Sequence, residues 1–447
     1  MYTRAAWLAM EVGDDERLGL VAAGLALTIA LPGDRWPEAR MWARLALATT
    51  SRIPRGRARF QALHANGGVE YYAGEFLAAE QWFAQAATHG AQHFGRDSEL
   101  TQTATAMLAM TLGRLRRYEA SLAQFDAVLA GQAQVYGPKH PSVAILHNNR
   151  AVTLREAGRP DEALAGFATA LEIWSAAFGP DHPDVGLAHG NVASALMARG
   201  RPDDFFAAEE HLRRAIATRE RNFGPGDPDL AVELANLAVL YMSRLELDEA
   251  ERLLARALQI RERTVGIDHP LATIPSVVLA ELHGLRSDFT TQRRILQRLL
   301  RALERAYGPA HANLTPALVW LADVELRDGT LDLAEVYVTR AASLSVGDPE
   351  VERVCDALRG RLALRRGDAV TAIELLARSL HAREGQLFEY TSADLAGELA
   401  RALRAAGRPA EARPLVERAL AYFRGGGAAL AGRVAELEVL RRDLERG

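Results

Sequence analysis

Four histidines of this 447-residue chain return at one spacing: His140, His182, His269 and His311. A row of imidazoles raises metal ligation as the first chemistry to consider. The row cannot share an ion, because each histidine falls in a different helical unit. Stacked helices sit 8–10 Å apart, whereas zinc holds its ligands at about 2 Å. A loop and helix N-cap role is the reading that fits, and no metal or other cofactor is expected. No H-E-x-x-H, C-x-x-C, P-loop or G-x-S-x-G motif is present, so no catalytic residue is assigned. GGVEYYAG (from Gly67) and RGGGAAL (from Arg424) are glycine-rich but follow no strand, so neither cradles a phosphate. The first reads as a close-packing position of a repeat, the second as a hinge before the last helix. The chemistry that remains is amide chemistry. Asn149, Asn191 and Asn236 stand 12 residues after Gly137, Gly179 and Gly224, and Asn66 takes the same place if one residue is skipped. An Asn offers a donor and an acceptor, enough to grip the backbone of a bound peptide without reading its side chains. The same amide can equally bond a neighbouring helix and be structural.

The elements that position these residues follow from an internal period. GPKH, GPDH, GPGD, GIDH and GPAH begin at Gly137, Gly179, Gly224, Gly266 and Gly308, at intervals of 42, 45, 42 and 42, and Gly95 lies 42 residues upstream of the first. A second landmark is a small residue early in each unit's second helix: Ala39, Ala79, Ala120, Ala163, Ala208, Ala250, Ala334, Ala372 and Ala412, with Gln292 where one is missing. Four residues on comes a large apolar side chain (Phe83, Phe167, Leu212, Leu254, Val338, Val416), and three further on another small one (Ala86, Ala127, Ala170, Ala215, Ala257, Ala341, Ala419). Offsets of four and three share one helix face. Each unit therefore reads as helix, short turn, longer helix, loop. The loop glycine is expected as a left-handed C-cap, Pro141, Pro183, Pro228 and Pro270 suit the first helical position, and Asp227 is an N-cap. The short turn carries Gly74, Gly158, Gly200, Gly329, Gly367 and Gly407.

These residues, above all GPDHPDVGLAHGNVASALMARGRP and the stretch from Gly224 to Pro270, resemble tetratricopeptide repeats. The 42-residue variety is similar to the repeats of kinesin light chains and their bacterial relatives. The resemblance implies an all-α, right-handed superhelical solenoid of antiparallel helix pairs, about nine to ten of them. It divides the chain into N-terminal helices forming an atypical or truncated cap (1–32), degenerate repeats (33–94), kinesin-light-chain-like repeats (95–310), degenerate repeats (311–424) and a C-terminal capping helix (425–447). In such repeats the Asn position lies on the first helix and faces the concave groove, so the resemblance implies peptide binding by Asn66, Asn149, Asn191 and Asn236. The same register lines one edge with Ile145, Leu187, Val232 and Ile274 and another with Met197 and Met242, beside Arg155. That is an apolar groove with amide hooks, without a row of Lys and Arg to clamp a carboxylate or phosphate. Further along, Val278 and Trp320 replace Asn while Glu281 and Asp323 add charge. The apolar positions become core if the register shifts by one.

Bulk properties agree with a helical folded protein. Ala and Leu, both strong helix formers, make up about a third of the chain. The net charge of −4 and mixed signs disfavour nucleic acid as a partner. The one cysteine, Cys355, cannot form an internal disulfide, reads as a small buried residue and fits a reducing cytoplasm. The most apolar run, Leu18 to Leu31, is 14 residues long, short of the roughly 20 needed to span a bilayer, and reads as a buried solenoid helix. The first helix, YTRAAWLAMEVGD, places Trp7 and Leu8 on its apolar side and is either an unusual cap or the continuation of something longer. The leading expectation is a non-enzymatic scaffold that binds a peptide segment of a partner protein. The alternative is the C-terminal partner-recruiting region of a larger bacterial signalling protein, such as a serine/threonine kinase. An enzyme built on the repeats, and self-assembly through Phe205 and Phe206 in the three-residue insertion, rank behind.

Overall fold

The computed structural model describes residues 2–31, 35–53, 56–201, 203–266, 268–381, 390–425 and 430–446. The chain is an all-α solenoid of helix pairs, with no strand among the described residues. It divides into two compact units, Met1–Arg199 and Gly200–Gly447. The first holds α1 (Tyr2–Glu11), α2 (Asp15–Ala30), α3 (Trp36–Thr49), α4 (Arg57–Tyr72), α5 (Phe76–His93), α6 (Glu99–Arg114), α7 (Tyr118–Tyr136), α8 (Pro141–Glu156), α9 (Pro160–Phe178) and α10 (Pro183–Arg199). The second holds α11 (Asp204–Phe223), α12 (Leu230–Ser243), α13 (Leu247–Thr264), α14 (Thr273–Leu285), α15 (Phe289–Tyr307), α16 (Thr315–Asp328), α17 (Leu331–Leu344), α18 (Pro349–Arg365), α19 (Ala369–His381), α20 (Tyr390–Ala405), α21 (Pro409–Arg424) and α22 (Ala431–Arg446). Within each unit a helix packs on the next in sequence, and the first helices of neighbouring pairs also touch. No helix among the described residues is long and apolar enough to cross a membrane.

The small-large-small face builds the core. Ala79, Phe83 and Ala86 of α5, and Ala163, Phe167 and Ala170 of α9, are fully buried, as are Leu212 and Leu254 on later second helices. Contact is close where the facing residue is glycine: a Cβ on Gly67 of α4 would lie 2.8 Å from the Phe83 ring. Burying a phenylalanine against backbone in this way is worth about 1.5–3 kcal/mol per side chain relative to exposure. One unit corrects the expected register. Ala120 and Ala127 of α7 are exposed, and Ser121, Phe125 and Val128 take the inward positions. Ser121 is tolerated there because its hydroxyl donates to the Ala109 carbonyl oxygen at 2.7 Å. Cys355 is buried in the core around α18, as expected.

The loops are largely built from the predicted residues, but Asp227 and Pro228 lie before α12, which begins at Leu230 after Asp229, and the loop glycines differ in conformation. Gly137, Gly179, Gly224 and Gly308 follow their helices with φ of 84–89° and ψ of 153–169°. That is an extended mirror-image region open only to glycine, not the left-handed helical cap expected. The left-handed position lies in the short turns instead, at Gly74, Gly158, Gly200, Gly329, Gly367 and Gly407. Pro141 and Pro183 open α8 and α10. The histidine before each such helix or helical turn caps it through Nδ1, which accepts the backbone N–H two residues on at 3.1–3.2 Å for His140, His182, His269 and His311. Three of these imidazoles also stack on the aromatic ring four residues earlier, Tyr136, Phe178 and Tyr307, at 4.3–4.9 Å.

The ends differ in detail from expectation. In α1 it is Ala6 and Ala9 that are buried, while Leu8 is exposed; the Trp7 side chain lies outside the described residues. The run from Leu18 lies in α2, with Leu18, Ala22 and Ala26 buried. The expected hinge after Arg424 falls at 426–429, also outside them. The insertion coincides with the boundary between the units and leads into α11, where Phe206 is 72% exposed.

Candidate functional site

The predicted groove residues lie on first helices: Asn66 on α4, Ile145, Asn149 and Arg155 on α8, Leu187, Asn191 and Met197 on α10, Val232, Asn236 and Met242 on α12. Repeat equivalence makes the first unit's residues comparable, but their surroundings differ. Asn66 is buried, and its Nδ2 donates to the carbonyl oxygens of Ala43 on α3, at 2.9 Å, and of Ala62, at 2.8 Å. Its amide donors are thus committed to helix packing.

Asn149 and Asn191 are half-buried and joined by a residue the sequence reading passed over. Asn191 Nδ2 donates to Asn148 Oδ1 at 2.8 Å, Asn148 Nδ2 donates to Asn149 Oδ1 at 3.3 Å, and Asn149 Nδ2 points to Met110 Sδ of α6 at 3.8 Å. The result is a ladder of amides across two successive first helices, α8 and α10, that ends on the Met110 sulfur of α6. Adjacent asparagines at 148 and 149 were the available signal: one can bridge to the next helix while the other faces out. One turn before the ladder residues, at i−4, Ile145 and Leu187 are 49% and 38% exposed. Large aliphatic side chains therefore recur in the open beside amides that retain hydrogen-bonding capacity.

Arg155 reaches across from α8 to α10, where Nη1 donates to Ser194 Oγ. Its Nε is buried without a hydrogen-bond partner, and burial pushes the guanidinium below its ordinary pKa. Met197 is half-buried. In the second unit Asn236 and Val232 are half-buried, and Ile274 is exposed at the register position of Ile145. Met242 corrects the prediction: it is only 6% exposed and belongs to the packed end of α12 rather than to an open edge. Val278 is likewise buried. Beside Val232 stands Glu233, a buried carboxylate the sequence reading missed; burial pushes its pKa up to about 7 against the opposing charge of Arg219.

Further along the second unit, where Asp323 was expected to add charge, the sequence reading did not foresee the arginines that gather around it. Asp323 and Arg327 of α16, Arg361 of α18, Asp394 of α20 and Arg433 of α22 form a network of buried ion pairs. Arg327 Nε and Nη2 lie 2.8 Å from Asp323 and Asp394, Arg361 pairs with both aspartates, and Arg433 stands 3.7 Å from Asp394. Burial alone would raise the Asp323 carboxyl, but Arg327 and Arg361 outweigh it and hold it below the usual carboxylate range. Asp323 and Arg327 are an i,i+4 pair on α16, but the other partners come from helices about 35 to 110 residues away, beyond any local pattern.

Comparisons with known proteins agree with this architecture. Two family models, both described as tetratricopeptide repeat, match the chain, one at residues 102–165 and 142–221 and the other at 234–271 and 392–424. No curated protein matches it. Among solved structures, a monomeric mutant of IFIT1 with m7Gppp-AAAA is 16% identical over 96% of this chain and 90% of its own, with a TM-score of 0.51. BtubC (BKLC) from P. vanneervenii is 22% identical over 55% of this chain and 92% of its own, with a TM-score of 0.40. A putative kinesin light chain of Podosopora anserina with nearly identical TPR-like repeats is 19% identical over 46% and 96%, with a TM-score of 0.39. At 16% identity the likeness to IFIT1 is one of fold.

Proposed function

Because the chain is a tetratricopeptide-repeat protein, resembling kinesin light chains in its 42-residue repeats, we propose that it is a non-enzymatic scaffold that binds a peptide segment of a partner protein. Tetratricopeptide repeats point to protein–protein interaction; peptide binding on the first helices is the finer reading. The observation that carries it is the repeated pairing of an exposed aliphatic residue with a half-buried asparagine one turn on, Ile145 with Asn149 and Leu187 with Asn191. A bound segment gains apolar burial from the first and backbone hydrogen bonds from the second. Val232 and Asn236 repeat the pairing in the second unit with less exposure.

The test is capture of partners by cross-linking in cell extract, with the parent chain and with Asn149, Asn191 and Asn236 changed together to Ala. Each hydrogen-bonding amide contributes on the order of 1 kcal/mol, so the triple change weakens a peptide partner roughly 100-fold. Urea denaturation of the same variant checks that the fold survives loss of the amide ladder. An unchanged set of partners on a folded triple variant refutes the reading.

A further inference from the structure

The second unit contains a recess of about 600 Å³ that the peptide reading does not use. Six guanidiniums line it: Arg327, Arg361, Arg365, Arg401, Arg404 and Arg433. Four carboxylates share the lining, Asp323, Glu398, Glu436 and Asp443, and Asp394 completes the ion pairs behind it. Positive charge is therefore in excess. Most of it is answered: Arg401 pairs with Glu398 at 2.9 Å and Glu436 at 3.1 Å, and Arg404 with Asp443 at 3.0 Å.

The excess concentrates on α18. Arg365 is exposed and makes no ion pair with any described residue. One turn before it, on the same helix face, Arg361 has its two terminal nitrogens engaged by Asp323 and Asp394 while its Nε is buried without a partner. A guanidinium presents five N–H donors in a fork that matches a carboxylate, and a buried donor without an acceptor is costly. Glu398 Oε2 is also buried without a partner and asks for a donor in return. Phe289, Leu364 and Val439 give the recess an apolar side. Its volume falls in the 300–1,000 Å³ range of small-molecule sites, far larger than a lone carboxylate fills.

We propose that this recess is a binding site for a small organic acid with an apolar body and a hydroxyl or amino group beside its carboxylate. The carboxylate sits on Arg361 and Arg365, the adjacent donor meets Glu398, and the body lies against Phe289 and Leu364. This site is independent of the amide ladder, and its failure leaves the peptide reading untouched.

Isothermal titration of the full chain with four probes tests it: 3-phenyllactate, 3-phenylpropionate, phenethylamine and inorganic phosphate. The expected result is saturable binding of 3-phenyllactate with Kd on the order of 1 mM or tighter, weaker binding of 3-phenylpropionate, and none of phenethylamine or phosphate. Arg365→Gln should weaken 3-phenyllactate about tenfold through loss of a charge-assisted pair, with the urea midpoint of the free protein unchanged because Arg365 makes no ion pair with any described residue. Arg361→Gln also removes support from two buried aspartates and so serves only as a second variant if it folds. The proposal is overturned if 3-phenyllactate shows no saturable binding, if phenethylamine or phosphate matches it, or if Arg365→Gln keeps full affinity. Equal affinity for 3-phenyllactate and 3-phenylpropionate overturns the part assigned to Glu398.

Discussion

Replacing Ser287 with glycine should make this protein more stable, and replacing Gly158 with alanine should make it less stable by a similar amount. Both residues occupy the same place in the repeat, the left-handed residue of the short turn after a first helix, with φ of 61° at Ser287 and 75° at Gly158. The hydrogen bonds are the same in kind. Ser287 N–H donates to the Gly284 carbonyl and Asp288 N–H to that of His283; Gly158 N–H donates to Arg155 and Arg159 N–H to Leu154, all at 2.9–3.0 Å. An L-residue pays roughly 1–2 kcal/mol to hold this conformation, and glycine instead loses about 0.5–1 kcal/mol more chain entropy on folding. The difference leaves about 0.5–1 kcal/mol in favour of glycine. Side-chain contacts do not blur the comparison: Ser287 is exposed, and a Cβ on Gly158 would meet nothing within 4 Å. Urea denaturation gives the net change, and amide hydrogen exchange in α14–α15 and α8–α9 shows where it acts, since repeats open locally. The two sites lie in different units and share no hydrogen-bond partner, so the double variant should return close to the parent stability. A neutral Gly158→Ala or a destabilising Ser287→Gly would refute the argument that backbone strain alone separates them.

Two further outcomes follow from buried polar groups. Asn66→Ala should cost about 1–3 kcal/mol in urea denaturation, because it removes the buried hydrogen bond from α4 to the Ala43 carbonyl of α3 and leaves a cavity there. Asn236→Ala, with no side-chain hydrogen bond to lose among the described residues, should stay within about 0.5 kcal/mol; equal losses at the two sites would contradict their different placement. Glu233 makes stability depend on pH. Its folded pKa of about 7 exceeds the ordinary 4.5 of a glutamate, so between those values the folded state holds more protons than the unfolded one and stability falls as pH rises, levelling off above about pH 7. Glu233→Gln should abolish that fall and exceed the parent by on the order of 2–3 kcal/mol at pH 8. Identical pH profiles of parent and variant between pH 4.5 and 8 count against the burial argument.

The fold was largely legible because it rests on local, repeated chemistry. Glycine at a turn closed to other residues, proline at a first helical position and an apolar face at offsets of four and three all act within a few residues. The slip at Ala120 shows where such reading fails. Alanine looks like the inward residue, yet Ser121 goes inward because a carbonyl on the facing helix accepts its hydroxyl. Arg116, Leu245 and Ser287 show the converse: the repeat imposes the left-handed turn where the residue itself does not favour it. The candidate site was legible as positions but not as roles. Met242 is apolar at the right register and still buried, because burial depends on what the next helix covers.

What the sequence determined by itself is the period, the helix pairs and the residues that bound them, since each depends on backbone conformation and near neighbours. What the tertiary structure decided is which polar groups are already engaged. Asn66 and Asn236 share one register, yet Asn66 holds a neighbouring helix while Asn236 makes no side-chain hydrogen bond among the described residues. The arginines from Arg327 to Arg433 meet only because stacked helices bring their faces together across about 110 residues of chain. A hydrogen bond or ion pair across helices is set by distances of a few ångströms, and no spacing along the chain encodes those distances.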